Sequence, residues 1–519
     1  MEVAVVSGPG QRRWWALGAV SLCILAVSLD GTVLSVALPT LASALHASES
    51  DLEWFSSGYL LLLAAAVLPA GLIGDRYGRK KLLLGSLTVF GAGSVLCALS
   101  PSPVVFLLAR LLMGAAGAGV TVMALSALTV LFTEDERPKA VGVYEAANFL
   151  ALPLGPILGG WMLSQSWWGW VFLLNVPVVA IGLVVAGALV PESRADERPA
   201  LDLPGIAAST VGLVAVTYGL VNAGEHGWSD PTALATVAAG LVVLAGFVVW
   251  ERRLARQDGQ PLIDPTLFSS ASFTWGAALS GIGGLGMVGL LFVMPQYFQA
   301  IQGATTFVSG LRLLPLVGGL IAGAAPASLL VKTIGAKLTV TAGFVLLGVG
   351  SLLGTGTRVG SSAAFVAVWM AVLCAGTGLI LTAATAAALA QLRKDASGIG
   401  SAVVQAFQKT SAPLGTTIIG SVLSAAYVAH LELARLSATQ AATVRSSVYD
   451  GVTIANQLHS PSLAAQVRGA FVHGLNVSLL ISAGIAATGV ILTLVLLPGV
   501  RPQPGQRSPS REIDHAQQP

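Results

Sequence analysis

Charge is what this sequence has least of. Only 10% of its 519 residues are Asp, Glu, Lys or Arg, while 55% are hydrophobic; a soluble globular chain carries roughly 25% charged residues. So little polar surface excludes a soluble fold of this length. Acidic residues are missing altogether between Asp264 and Asp395, so that stretch offers no carboxylate to carry a proton. Cysteine is nearly absent. Cys23, Cys97 and Cys374 lie inside apolar runs at no metal-ligand spacing, which excludes a disulfide framework and a cysteine-based metal site and leaves them as packing residues. A net charge of +3 is too small to imply a nucleic-acid partner. No phosphate-cradling loop, metal cluster or nucleophile constellation is present, so an enzyme is not expected, nor any cofactor.

What the chain has instead is a succession of apolar runs of about 20 residues, the length that crosses a hydrocarbon core ~30 Å thick. In lipid the backbone must satisfy its own hydrogen bonds, so the runs are helices. They are predicted at 14–38, 52–73, 81–99, 103–131, 138–163, 168–190, 204–222, 232–250, 272–295, 308–330, 337–356, 362–389, 398–427 and 474–497. The expected fold class is all-α integral membrane with fourteen transmembrane helices. The first run, Trp14 to Leu38, lacks a small-residue cleavage site and is taken as an uncleaved helix.

Orientation follows from the basic residues. The exits of even-numbered helices and the two termini hold 20 of the 27 Lys and Arg residues; the opposite loops and helix ends hold five, Arg312, Arg358, Arg435, Arg445 and Arg468. An excess of positive charge marks the cytoplasmic side, so both termini are expected there, in the cytoplasmic membrane. Preference for Arg over Lys with abundant Ala and Gly suggests a bacterial source.

The chain also repeats itself. Pro153-Leu154-Gly155 returns as Pro413-Leu414-Gly415, and Gly160 as Gly420, at an offset of 260 residues. A loop at Gly71 to Lys81 has a degenerate counterpart near Val331 to Lys337. The expected organisation is a six-helix half at 1–195, two inserted helices at 196–265, a second six-helix half at 266–499, and a disordered cytoplasmic tail at 500–519. Such repeats place a substrate site at their interface near the membrane midplane. The loop 428–473 should face outward. Its stretches Leu433 to Arg445 and Ala464 to Val472 read either as amphipathic interfacial helices or as a solvated connection.

Several motifs carry a resemblance. Gly71, Asp75, Arg76, Gly78 and Arg79, running on to Lys81, close the second helix; glycines allow a tight turn while Asp75 can pair with Arg76, Arg79 or a neighbouring helix terminus. This resembles the signature cytoplasmic loop of the major facilitator superfamily, and implies a conformational latch. Leu29-Asp30-Gly-Thr32 through Ala37-Leu38-Pro39 is similar to the first-helix signature of the fourteen-helix drug:proton antiporters, the EmrB/QacA type. Arg110 with Gly114, Gly117 and Gly119 resembles that family's fourth helix, and Leu154-Gly155-Pro156 with Gly159-Gly160 its antiporter motif. Trp170-Val-Phe172-Leu-Leu-Asn175-Val-Pro177 and Pro191-Glu192-Ser193 look like its sixth helix and exit. The resemblance covers essentially the whole chain and is weaker in the second half.

Ionisable groups in lipid are costly and usually functional. Here they are Asp30, Arg110, Glu145 and Lys409, with Asp75 at a helix end. Asp30 lies about 14 Å below the outer end of its helix and Arg110 roughly 11 Å from the same side, so the two should be level. Asp30 either takes and releases the proton while Arg110 responds, or the pair is a permanent salt bridge. Glu145 shares a helix face with Asn148, Leu152, Gly155 and Gly159, and the repeat matches Glu145 to Gln405 and Asn148 to Gln408. Glu145 is either a second proton or cation site or a hydrogen bond or ion pair that holds helix packing, with Lys409 as the candidate partner. Tyr144, Phe149 and Phe407 complete a candidate cavity with Asn148, Gln405, Gln408 and Lys409. Other aromatics, including Trp54, Phe55, Tyr59, Trp161, Trp167, Trp170 and Trp369, are expected in interfacial belts. A buried Lys409, and Ser57 where some relatives carry an acid, weaken the expectation of a cationic cargo. Kinked helix 5, with small residues against its neighbours, suits sliding as well as packing.

Together the residues and the resemblance imply proton-coupled efflux of a small hydrophobic, drug-like substrate by alternating access, from a monomer in contact with membrane lipids. The alternative cargo is a lipid or lipid-like metabolite; a non-transporting membrane sensor is the remaining rival.

Overall fold

The computed structural model describes residues 9–47, 49–133, 136–165, 167–194, 202–227, 229–257, 261, 263, 265–390, 392, 397–433 and 436–499. The proposed tail at 500–519 lies outside them. Helices make up almost all of the rest. In chain order they are α1 (Pro9–Ala44), α2 (Glu49–Tyr77), α3 (Arg79–Ala98), α4 (Pro103–Leu131), α5 (Arg137–Gln165), α6 (Trp170–Leu173), α7 (Asn175–Leu189), α8 (Leu203–His226) and α9 (Pro231–Arg256). There follow α10 (Ala271–Gln296), which runs on through a π turn at Tyr297–Ile301, α11 (Thr306–Arg312), α12 (Leu314–Gly354), α13 (Ala363–Ala390) and α14 (Ser397–Ala429). The last are α15 (Ala438–Ser446), α16 (Val448–Gln457) and α17 (Pro461–Leu496).

Helix starts repeat one local device. Ser102 before Pro103, Asp202 before Leu203-Pro204, Asp230 before Pro231 and Ser460 before Pro461 each accept a backbone N–H of the first turn. The side chain supplies a cap and the proline a preset φ where no N–H is needed.

Among the described residues, twelve stretches are long and apolar enough to cross a membrane. Two features make this consistent with fourteen crossings. The 29-residue α5 is long enough to cross but is not among the twelve. Helix α12, with 41 residues, would be ~60 Å long, twice the hydrocarbon core. It turns at Gly335 (φ 85°, ψ 161°), so the helices expected at 308–330 and 337–356 run together through one glycine. Gly78, between α2 and α3, has φ 118°. The two loops paired by the sequence repeat therefore turn on a glycine in the left-handed region, which an L side chain rarely adopts.

Other boundaries need correction. The last helix begins at Pro461, not 474, so Ala464 to Val472 is the first part of a long helix and not an interfacial segment; its Ser460-Pro461 start and the buried Val467, Ala470 and Phe471 hold it. Within the stretch Leu433 to Arg445, helix α15 starts at Ala438 from a capping box of Ser437 and Gln440. α16 follows as a helix the hydropathy pattern missed. The run at 168–190 divides at Leu174 into α6 and α7.

Buried apolar side chains gather in two clusters. One is drawn mainly from α1–α7 and reaches Ala388 to Val404; the other is drawn from α10–α17. Helices α8 and α9 pack on each other where Gly212 and Gly240 leave no room for a Cβ. α8 touches a helix of each cluster: Thr210 Oγ1 donates to the Ala65 carbonyl of α2 (3.4 Å), and Thr417 Oγ1 of α14 donates to the Leu220 carbonyl (2.8 Å).

Candidate functional site

The densest polar cluster lies inside the first half, where α1, α2, α3, α4 and α7 meet. Asp30 on α1 and Arg110 on α4, expected to be level, form an ion pair through Oδ2 and Nη1. They are 3% and 1% exposed, so the pair is sealed from lipid and solvent alike. Arg110 Nε donates to the Phe55 carbonyl at 3.1 Å, and its guanidinium lies over the Tyr59 ring, 4.2 Å from the centroid. Tyr59 OH in turn donates to the Val27 carbonyl of α1 at 3.0 Å. The other carboxylate oxygen, Asp30 Oδ1, accepts from Asn175 Nδ2 at 3.0 Å, and the same amide reaches Ser94 Oγ at 3.3 Å. Glycine explains the close approach: a Cβ on Gly114 would strike the Tyr59 carbonyl.

Phe55 and Tyr59 were expected in a belt and are instead 0% and 2% exposed, as is Trp369 at 0%. Trp54, Trp161, Trp167 and Trp170 are 42–61% exposed, as belt residues should be. Hydropathy ranks Phe and Tyr alike in both places; the difference is their register with Arg110. Asn175 was visible only as part of a motif, because a neutral amide raises no flag in an apolar run. Its position beside Pro177, which breaks the helix, was the available signal.

A second cluster crosses between the halves. Glu145 on α5 is 1% exposed; its Oε1 accepts from Gln408 Nε2 of α14 at 3.2 Å, while Oε2 has no hydrogen-bond partner. Gln408 also donates to Thr385 of α13 at 3.2 Å. Gln405 Nε2 donates to the Tyr144 hydroxyl at 3.2 Å. Asn148 pairs with Ser28 of α1 through a short bond. The sequence repeat thus brings its polar residues face to face. Lys409 feels the charge of Glu145 but forms no ion pair with it within 4.0 Å. Phe407 is 40% exposed. The side chains of Phe149 and Pro156 lie outside what the structure describes, and so does that of Ser57.

At the end of the molecule carrying most of the Lys and Arg, two contacts join the halves. Asp75 accepts from the backbone N–H groups of Gly398 (3.0 Å) and Ile399 (2.8 Å), the first turn of α14, and is paired with Arg79 at 2.6 Å. The carboxylate faces the positive end of the helix dipole. Arg137, at the start of α5, donates to the Leu389 carbonyl at the last turn of α13 (3.0 Å), a cation at a negative helix end. Gly71 and Gly398 allow this approach: a Cβ on Gly71 would meet Ala402, and one on Gly398 the Asp75 carboxylate. Arg76 lies against the ring of Tyr77. The exit motif closes the same turn, Lys80 N–H donating to Glu192 Oε1 (3.2 Å) and Arg79 N–H to the Ser193 carbonyl (2.8 Å). In the α5 motif, Gly155 and Gly159 face Thr32 and Val33 of α1 closely, while Gly160 has open space.

The profile of the Major Facilitator Superfamily matches residues 20–416. A tetracenomycin C resistance and export protein of Streptomyces glaucescens is 29% identical over 517 residues, covering 97% of this chain and 94% of that protein. A puromycin resistance protein of Streptomyces alboniger is 31% identical over 469 residues, covering 88% of this chain and 90% of that protein. Among solved structures, a proton:xylose symporter bound to a bromodeoxyglucose aligns with TM-score 0.62 at 14% identity, over 96% of this chain and 98% of that one. At that identity the likeness concerns the fold.

Proposed function

We propose that this chain, which belongs to the Major Facilitator Superfamily, is a fourteen-helix secondary exporter that moves hydrophobic drug- or antibiotic-like compounds out of the cell in exchange for protons. It works as a monomer in the cytoplasmic membrane with both termini inside, and needs no cofactor beyond the proton gradient. The residues 1–195 and 266–499 are the two rocking halves. The antibiotic resistance and export proteins among its relatives support the cargo class. The observation that carries the coupling is the buried Asp30–Arg110 pair, set where five helices of the first half meet.

The chemistry follows from the pair. While Asp30 is ionised, Arg110 is neutralised and α1 is tied to α4. A proton arriving at Asp30 removes the attraction and leaves a buried guanidinium uncompensated, a strongly unfavourable state. The bundle relieves it by changing conformation, which is how one proton becomes one switch of access. Glu145, in the seam between halves, is the second group that can take a proton or meet the cargo. Asp75 and Arg137 hold the cytoplasmic end shut in the state described. Lys409 beside the seam favours neutral or anionic compounds over dications.

The test uses protein in proteoliposomes with an imposed proton gradient and puromycin and tetracenomycin C as probes. Gradient-driven uptake of either compound in the wild type, lost in Asp30→Asn, is expected. Equal uptake by the two proteins would remove Asp30 from the mechanism; no flux of any compound in a broad panel would remove the export reading.

A further inference from the structure

The carboxylate of Asp30 has two oxygens, and the ion pair with Arg110 occupies one of them. A carrier that must release and take protons reversibly needs its other oxygen controlled as well. That oxygen is met by Asn175, 2% exposed, at the first residue of α7. The amide is fully engaged in one direction: Nδ2 donates to Asp30 Oδ1 at 3.0 Å and to Ser94 Oγ of α3 at 3.3 Å. Asn175 also sits where its helix is weakest. Pro177 has no N–H, so the Leu173 carbonyl lacks its helical donor, and α6 ends at Leu173 just before Asn175.

We propose that Asn175 is the positioning residue of the Asp30 proton site, holding Oδ1 so that the carboxylate stays ionised and fixed until movement at the α6–α7 break withdraws the amide. The proposal deepens the reading of Asp30 as the proton carrier and rests on it. A hydrogen bond donated to an ionised carboxylate favours the charged form, and buried charge-assisted bonds are the strong ones. Arg110 alone would hold the charge but leave Oδ1 free to turn within the pocket. With both donors in place the carboxylate is fixed to α4 on one side and to α7 and α3 on the other. The remaining groups facing it are Arg110 of α4, Tyr59 of α2 and Cys97 of α3. Tyr59 already spends its hydroxyl proton on Val27. Neither Tyr59 nor Cys97 donates to Asp30, so the amide is the switchable contact. Loss of one hydrogen bond is a small event that a proline-weakened turn can produce, whereas breaking the ion pair first is costly.

The experiment reads Asp30 itself and needs no transported compound. Purified full-length protein is compared by infrared difference spectroscopy, and the carboxylate band absent in Asp30→Asn is that of Asp30. In Asn175→Leu the position of this band is expected to move, because Oδ1 loses its donor. Ser94→Ala should move it less, and Asn175→Gln, which restores an amide, should return it toward the wild-type position. An unchanged band position in Asn175→Leu would overturn the proposal; if that variant does not fold, Asn175→Ala gives the same reading. The result is separable from the coupling reading. Proton-driven transport surviving in Asp30→Asn would remove Asp30 as carrier while leaving the infrared outcome for Asn175 to stand or fall alone.

Discussion

Arg137 at the start of α5 donates to the Leu389 carbonyl at the end of α13, and the bond joins two helix termini from opposite halves of the molecule. Asp75 makes the converse contact at the start of α14, an acid against two backbone N–H groups. One end of the transporter is thus closed by a base on a helix C-terminus and an acid on a helix N-terminus, each complementing the local dipole.

Removing either contact should favour the state open at that end. For Asp75→Asn the expected change is about 1–2 kcal/mol, roughly five- to thirty-fold in population. Spin labels at Tyr77→Cys and Leu338→Cys, both exposed, report the separation of the halves, and the three native cysteines are buried and silent. A longer distance population should grow in Asp75→Asn and in Arg137→Ala. Unchanged distance distributions in both variants would mean that the contacts do not hold the halves together.

Two glycines of the α5 motif should behave oppositely. A Cβ on Gly155 would run into the Thr32 hydroxyl, which donates to the Ala151 carbonyl at 3.0 Å. Gly155→Ala is therefore expected to destabilise by about 1–3 kcal/mol. Gly160 has open space, and Gly160→Ala should leave the melting temperature unchanged or slightly raised, since Ala favours the helix. Equal melting temperatures for the two variants would show that close packing is not what the motif provides at Gly155.

Much of this was legible in the sequence. The level placement of Asp30 and Arg110 followed from counting residues in from Pro39 and Pro103, because rise per residue in a helix is fixed. Glu145 meets Gln408 across the seam, whereas the repeat matches Glu145 to Gln405 and Asn148 to Gln408. Tyr59 and Phe55 did not read correctly: in a membrane bundle, core and lipid-facing positions are both apolar, so amphipathic periodicity fades and burial has to come from contacts. The start of α17 was missed for a related reason. Its first turns, from Pro461 to His473, are polar enough to resemble a loop, and the helix is held there by packing of Val467 and Phe471. Asn175 stayed hidden because uncharged residues cost too little in lipid to stand out.

Glu145 should make binding depend on pH. Its Oε2 has no hydrogen-bond partner in a site 1% exposed, so a proton there changes charge without breaking a contact. Glu145→Gln keeps an acceptor for Gln408 and fixes the neutral form. Puromycin binding measured across pH 5–9 is expected to flatten in the variant, with the wild type varying over that range. Identical pH profiles would assign Glu145 to packing alone.

At the far end, α15 is held to α14 by a buried hydrogen bond from Tyr427 OH to the Val444 carbonyl at 2.8 Å. Tyr427→Phe should cost roughly 0.5–1.5 kcal/mol locally. Hydrogen exchange of Ala438–Ser446 should quicken several-fold while the amides of α4 stay protected. Equal exchange in the two proteins would show that α15 is held by its other contacts.

Exchange of protons for cargo through Asp30 is tested most directly by watching the protons. Proteoliposomes containing a pH-sensitive dye are loaded with puromycin and diluted to create an outward cargo gradient with no initial pH difference. The wild type should bring protons into the lumen as puromycin leaves, and Asp30→Asn should carry no coupled protons although it still binds the compound. Proton movement of the same size in Asp30→Asn, or puromycin efflux from wild-type vesicles with no proton movement at all, would contradict the account.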